Sequence, residues 1–560
     1  MRNIILTLLF AISLIGCFED EGNYEYKELK EPLWLFDKES MNIDIYARMG
    51  RNVLFKASDR FTWGEDSLAR LDEVRFEWRV GDVVIGDQVD FTISAEELVK
   101  KLNLEKLPDE NNALKGTFRI IEKESEITYM CRFRLMISPY IATYDWIIMS
   151  EVGEETKLSV ASWSKNPETG KDYYELMKPN DNVNHELLLP GKPIDAAFSI
   201  ARHVGPLGSV TAITDKGVYE IDNTKLEVYG ELKDEFLDGT PVDFNVVARR
   251  DIDGLGERRP HNTFLATADG NVYTRQMSAN WLGGKFLSEP YIVDDRGYKI
   301  TRFGHTLFDN PIIPCFDEKN GRMLMAQVWE ERVGDNLTGS YVYKSRLIEP
   351  KIPANAEARQ YIPVWNMPGV EMLFVTAASH FRATGTQSIY TLLFNDASGQ
   401  TLLWDFVIDN RTMSYVENME AYMRMMFDQV LPVKLNKNMK FLTSCNASRL
   451  ASSAANRIVY SNGNEVRFIK RGTYWYGMMT ELSSDNFLLR VDSPVTYLTY
   501  DYTCFDYGNV IMMVGCENGD VFYYDITNTS RPELLCKFNV GGKVVSAKLM
   551  GTPRTTKDLY

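Results

Sequence analysis

Apolar and polar side chains alternate along many short stretches of this chain. Between residues 24 and 140 the clearest are Asn52-Val53-Leu54-Phe55-Lys56-Ala57, Val74-Arg75-Phe76-Glu77-Trp78-Arg79-Val80 and Thr128-Tyr129-Met130-Cys131-Arg132-Phe133-Arg134-Leu135-Met136-Ile137. A period of two puts one face of a strand in a core and the other in water. These runs predict a small β-sandwich with Trp78 at its centre. Ile93 to Leu104 breaks the alternation: Ser94 precedes Glu96, Glu97, Leu98 and Leu102, predicting a short capped helix between strands.

From about residue 141 to 560 a weak repeat emerges. Seven glycine-containing turns separate strand-like runs, at Glu151-Val152-Gly153, Asp215-Lys216-Gly217, Asp269-Gly270-Asn271, Lys319-Asn320-Gly321, Ala397-Ser398-Gly399, Ser461-Asn462-Gly463 and Glu517-Asn518-Gly519. Asn-Gly and Asp-Gly favour hairpins because their residues tolerate positive φ. Recurrence over several hundred residues predicts a β-propeller of four-stranded blades. A second series of apolar runs lies about 25 residues before each of the last six turns. It comprises Pro193 to Phe198, Pro241 to Val247, Ile300 to Phe303, Met372 to Thr376, Met439 to Leu442 and Pro494 to Leu498, read as innermost strands. The first turn has no such predecessor, while Val544 to Met550 at the C-terminus has no hairpin after it. The last strand is therefore expected to complete the first blade, removing an open sheet edge. Seven blades are favoured; six or eight remain open.

The N-terminus changes the picture from fold to address. Arg2 precedes an apolar run from Ile4 to Leu14, too short to span a bilayer and patterned as a secretory signal over residues 1–16. Ser13-Leu14-Ile15-Gly16-Cys17 resembles a bacterial lipobox, which implies cleavage before Cys17 and acylation of its sulfur. Residues 17–23 form a lipidated acidic linker in this reading, with Glu19, Asp20 and Glu21 beside the anchor. In Bacteroidota-type lipoproteins such a stretch resembles the signal for export to the outer face of the outer membrane. Its other reading is a solvated charge run.

Glu21-Gly22-Asn23-Tyr24-Glu25-Tyr26-Lys27 beyond the lipobox is similar to the start of the PKD-like lipoproteins of Bacteroidota. The Trp78 strand, Gly81-Asp82 and a late strand ending near Ile137 likewise resemble a PKD or immunoglobulin-like module. The resemblance implies residence in the outer membrane beside SusC/SusD-like import systems, and it implies no catalytic residues. The region around Trp78 lacks the aspartate-rich turn of true PKD repeats.

Net charge is −16, and no basic stripe offsets it, so attraction to nucleic-acid phosphate is not expected. Aromatics at 12% and hydrophobics at 44% suffice for packed cores, which excludes a disordered chain. Beyond the anchor, Cys131, Cys315, Cys445, Cys504, Cys516 and Cys536 show no CxxC pair or metal spacing. They are expected as buried thiols, with a disulfide among the last three left open. His185, His203, His261, His305 and His380 show no i,i+2 or i,i+4 pairing and no HExxH. There is no nucleophile elbow, Walker loop or strand-led GxGxxG, and no cofactor is expected. Asp251-Ile252-Asp253-Gly254 resembles the opening of a calcium loop, without the spacing an EF-hand requires.

Candidate partner- or ligand-facing residues are Trp329, Tyr361 and Trp365 in the longest interval between turns, Met423 in the next, and Trp475 beside Tyr474 and Tyr476. Val416, Met419, Met423, Met426, Phe427 and Val430 are spaced as one apolar helix face. The reading is a surface-exposed, lipid-anchored, non-catalytic accessory subunit of a SusC/SusD-like glycan or peptide uptake system. A surface hydrolase or lyase on a propeller is the alternative, because propellers host both roles. A purely structural assembly subunit is the third.

Overall fold

The computed structural model describes residues 31–35, 42–66, 70–108, 113–165, 172–179, 182–199, 209–252, 261–277, 285–305, 312–334, 340–350, 363–377, 387–409, 423–443, 457–471, 482–501 and 510–550. The described chain is nearly all β, with one α-helix among the described residues. It separates into two compact units, Met1–Pro139 and Tyr140–Tyr560.

In the first unit a five-stranded sheet runs in the order Asn42–Arg48, Thr128–Ser138, Leu114–Glu122, Val74–Val80, Val83–Gly86. The first pair is parallel and the others antiparallel. Asn52–Lys56 pairs with Asp90–Ser94, and Leu33–Trp34 with Phe61–Thr62. Strict alternation of exposed and buried positions along Asn52–Lys56 is what the sequence pattern demands of a half-buried strand. Trp78 is fully buried, its ring 4.6 Å from Phe118, 5.3 Å from Phe55 and 5.4 Å from Phe133. Its indole N–H donates to the Gln88 carbonyl at 2.9 Å. Trp78→Phe would leave that carbonyl without its donor and a void beside Phe118. The expected loss is about 2 kcal/mol, measurable by urea denaturation.

The helix Ala95–Lys101 forms where the sequence places it. Ser94 caps it by accepting from the Glu97 N–H at 3.2 Å, acidic Glu96 and Glu97 occupy the first turn, and Lys100 and Lys101 the last. That charge order complements the helix dipole.

In the second unit seven sheets are present among the described residues. The first contains the chain's end: Lys543–Leu549 pairs antiparallel with Trp146–Val152, from Trp146 opposite Leu549 to Glu151 opposite Lys543. Glu155–Lys165 follows, and both Asp172–Leu176 and Glu186–Pro190 pair with its far edge. The next sheets begin at Pro193–Ser199, Val246–Ile252, Ile312–Asp317, Glu371–Ala377, Phe441–Thr443 and Val495–Asp501. All seven glycine turns join consecutive antiparallel strands, one in each sheet.

Consecutive sheets share apolar cores. Ile147 and Leu158 of the first meet Ala196 and Val210 of the second; Ile213 meets Leu265, and Phe264 meets Ile313 and Leu324. Met323 and Met325 meet Tyr390 and Leu392, Leu393 meets Ile458, and Val459 meets Met512. The seventh and first sheets meet through Met513, Val521 and Tyr523 against Trp146, Ile148 and Val544. Packing on both faces explains the continuous apolar strands: every residue of Ser209–Thr214, Ile312–Asp317 and Ile511–Cys516 is buried.

Three expectations needed correction. The leading strand placed at Pro241 to Val247 is Val246–Ile252, because Asp243 at φ 58° makes a turn of the earlier residues. Ile300 to Phe303 forms no strand; isolated bridges from Phe303 to Cys315 and from His305 to Thr376 hold that segment. The methionine-rich segment is not helical where it is described: Met423–Val430 is a strand paired with Thr401–Asp409. Nine residues of exposed strand edge offer more backbone hydrogen bonding than an isolated amphipathic turn, and tertiary pairing overrides the helical spacing.

Cys131, Cys315 and Cys516 are buried free thiols and Cys536 a half-buried one. Burial pushes the first three up to about 12, which keeps them protonated and inert. Cys445 and Cys504 lie outside the described residues.

Candidate functional site

The sites expected from sequence are only partly visible. Cys17, Tyr361 and Trp475 lie outside the described residues, as do the side chains of Trp329 and Met423. Trp365 packs half-buried against the core of the fourth and fifth sheets, beside residues such as Met367 and Phe394. Among the described residues no cluster of three or more His, Cys, Asp or Glu could hold a metal ion. Asp251, from the segment resembling a calcium loop, is instead committed to a buried arginine.

That arginine is Arg249, on the leading strand of the third sheet, with only 1% of its side chain exposed. It donates to Glu220 at 2.6 Å, to Asp251 at 2.9 Å and to the Thr211 hydroxyl. Tyr229 donates its hydroxyl to the other Glu220 oxygen at 2.9 Å, and Arg275 lies 3.6 Å away. Burial raises the Glu220 carboxyl, but Arg249, Arg275 and the Tyr229 hydrogen bond outweigh it and hold the group below the usual carboxylate range. Arg322, fully buried, similarly binds Asp317 at 2.7 Å, Asp294 at 2.6 Å and Glu349 around the fourth sheet's turn. Hydrogen bonds from Arg322 and then Arg296 hold Asp294 far below its ordinary value. Arg249 and Arg322 are engaged by partners inside the fold, and they fix adjoining strands and loops.

A third charged group is built differently. Asp195 on Pro193–Ser199, Arg250 on Val246–Ile252 and Lys548 on Lys543–Leu549 come together from the leading strands of three sheets. These strands pack side by side. The Asp195 carboxylate accepts from Ser546 Oγ at 3.0 Å and from its neighbour's N–H, that of Ala196, at 2.8 Å. Arg250 and Lys548 stand 3.9 Å from it, ion-pair range but beyond hydrogen bonding. His305, on the segment before the fourth sheet, feels the charges of all three. Its backbone N–H donates to the Val375 carbonyl at 3.0 Å, and its ring lies 5.4 Å from that of Phe374.

This group is walled by protein yet wet. The Asp195 side chain keeps 29% of its surface exposed and Arg250 and Lys548 keep 19% each, while His305 is exposed. Burial would raise the Asp195 carboxyl, but Lys548, Arg250 and the Ser546 hydroxyl bring it below its ordinary value. Surrounding protein, then the charges of Arg250 and Lys548, lower the His305 imidazole below its ordinary value against the opposing pull of Asp195. The group sets Arg250 and Lys548 against a single carboxylate, that of Asp195.

None of these four residues was singled out by the sequence patterns. The available signal was a charged or polar residue inside an otherwise apolar leading strand, as in Ile194-Asp195-Ala196 and Ala547-Lys548-Leu549.

None of the curated proteins matches the chain. Similar solved structures include an apocarotenoid oxygenase variant of Synechocystis, at 10% identity and a TM-score of 0.38, covering 74% of this chain and 94% of that one. Another is the Nup133 β-propeller domain of Vanderwaltozyma polyspora, at 11% identity and a TM-score of 0.34, covering 73% and 96%. At the level of family, residues 17–180 match the PKD-like family, a stretch that covers the first unit from Cys17 and runs on into the second.

Proposed function

We propose that the chain is a lipoprotein tethered through Cys17 to the outer membrane of a Bacteroidota-type cell, facing the exterior. There it serves as a non-catalytic binding or accessory subunit of a SusC/SusD-like glycan or peptide importer. The observation that carries this reading is the start of the PKD-like match at residue 17, the cysteine that ends the lipobox-like run. A match that opens at that residue is what a mature N-terminus there would produce. One acyl chain holds a protein only marginally, at about 0.8 kcal/mol per buried CH2, so a stable tether takes more than one.

In the same reading the second unit is a seven-bladed propeller closed by Lys543–Leu549. Support comes from seven sheets, a shared core between each consecutive pair, and the pairing of the last strand with Trp146–Val152. The sandwich is a spacer above the lipid, and the wheel presents the binding surface.

The test is the location of the full-length chain in cells. The wild type is expected in the membrane fraction, degraded by protease added to intact cells, and co-purifying with a transporter after mild solubilisation. Cys17→Ser is expected to abolish membrane retention while leaving the thermal unfolding transition unchanged. A wild type that is soluble, or protected from external protease, would refute the reading.

A further inference from the structure

We propose that Arg250 and Lys548, poised around Asp195, form a binding site for a carboxylate-bearing ligand where the leading strands of the second unit meet. This rests on the reading of the chain as a binding subunit and names the chemistry that subunit would take.

The protein treats two neighbouring arginines very differently. Arg249 is sealed and fully engaged by Glu220, Asp251 and Thr211. Among the described residues Arg250, next in the chain, makes one hydrogen bond, to the Arg249 carbonyl at 3.1 Å, and otherwise the 3.9 Å approach to Asp195. Among the described residues Lys548 makes its own 3.9 Å approach to the same carboxylate. One carboxylate held by Ser546 and the Ala196 N–H thus faces two cations at more than hydrogen-bonding distance, and both cations reach water.

A structural ion pair closes to about 2.7–2.9 Å and satisfies its donors, as Arg249 and Arg322 do. Here the guanidinium fork and the ammonium keep donors free, with an excess of positive charge inside a chain of net charge −16. A planar carboxylate suits the arginine fork, and the lysine supplies the second point charge. Asp195 competes with the ligand for the same cations, and so sets the affinity.

The carboxylate could belong to a uronic acid or to a peptide terminus, and separate arms distinguish them. Detergent-solubilised full-length protein is titrated calorimetrically with an oligogalacturonide, with its methyl ester, and with trialanine and its C-terminal amide. The expected result is binding of one acidic probe, with its neutralised counterpart weaker by about tenfold or more. Arg250→Gln and Lys548→Gln should each weaken that binding by about tenfold. Asp195→Asn, nearly isosteric, should tighten it, an effect that no merely structural role for Asp195 would produce. Equal affinity for the neutralised probes would overturn the proposal while leaving a binding subunit intact. So would unchanged binding in folded Arg250→Gln, weaker binding in Asp195→Asn, or no binding of either acid. Loss of cell-surface location would instead count against the parent reading, since these titrations do not depend on it.

Discussion

A chain ending at Gly542 is expected to lose the cooperative fold of its second unit. Residues 543–549 are the first strand of a sheet whose next strand lies almost 400 residues earlier in sequence, at Trp146–Val152. Removing them exposes the hydrogen-bonding edge of Trp146–Val152, and strips Val544, Ala547 and Met550 from two cores. Burial of the Val544 and Met550 side chains alone contributes about 3–6 kcal/mol. That is comparable with the whole margin of a typical domain, roughly 5–15 kcal/mol. Two more ties go with them: the Met550 N–H donates to the Asp145 carbonyl at 2.8 Å, and the Tyr144 N–H to the Met550 carbonyl at 3.0 Å. Thermal unfolding and limited proteolysis should show a labile second unit and an unaffected first one, since Trp78 and its neighbours form a separate core. A truncated chain that melts at the wild-type temperature would show that this strand's pairing carries little of the unit's stability. Gly542 leads into that pairing: at φ +139° it takes a conformation few side chains adopt, and a Cβ there would run into the Glu151 carbonyl.

Arg249→Met is expected to be the most damaging single substitution, at about 3–5 kcal/mol. The methionine fills much of the volume, so the cost is electrostatic. Glu220 and Asp251 would remain buried, 4% and 1% exposed, with Arg275 3.6 Å from Glu220 as the nearest remaining cation. Breaking one side of a buried pair costs far more than the pair itself is worth. The pH dependence follows from the direction of the Glu220 shift. Its carboxyl is held below the usual range in the fold. Its contribution is therefore complete above the unfolded value of about 4.3, and is lost as pH falls through the lower folded value. In the variant the stranded carboxylates can shed their charge by taking protons. The gap between wild type and variant in chemical denaturation should accordingly be wide at pH 8 and narrow near pH 4. A gap that stays constant with pH would show that packing, not stranded charge, carries the cost.

What could be read from the sequence follows the range of the forces involved. Turns such as Asp269-Gly270-Asn271 and Glu517-Asn518-Gly519 were legible because their chemistry is local: Gly270 and Gly519 adopt φ of +100° and +85°. The Ser94 cap was legible for the same reason. The pairing of the last described strand with the first sheet was legible by elimination, as an apolar run with no hairpin of its own. Where local and tertiary preferences disagree, the patterns misled. Met423–Val430 has helical spacing but completes a sheet, and Ile300 to Phe303 has strand composition but makes only isolated bridges. The charged group around Asp195 was invisible because its members come from distant segments; Ser546 and Asp195 are 351 residues apart. No spacing rule reaches that far, and only the packing of leading strands brings them together.

The processed N-terminus is where a single measurement decides most. Mass spectrometry of the protein purified from the membrane fraction should find a first peptide that begins at Cys17 and carries acyl chains on its sulfur and amino group. A peptide retaining residues 1–16, or a Cys17 with a free thiol, would contradict it.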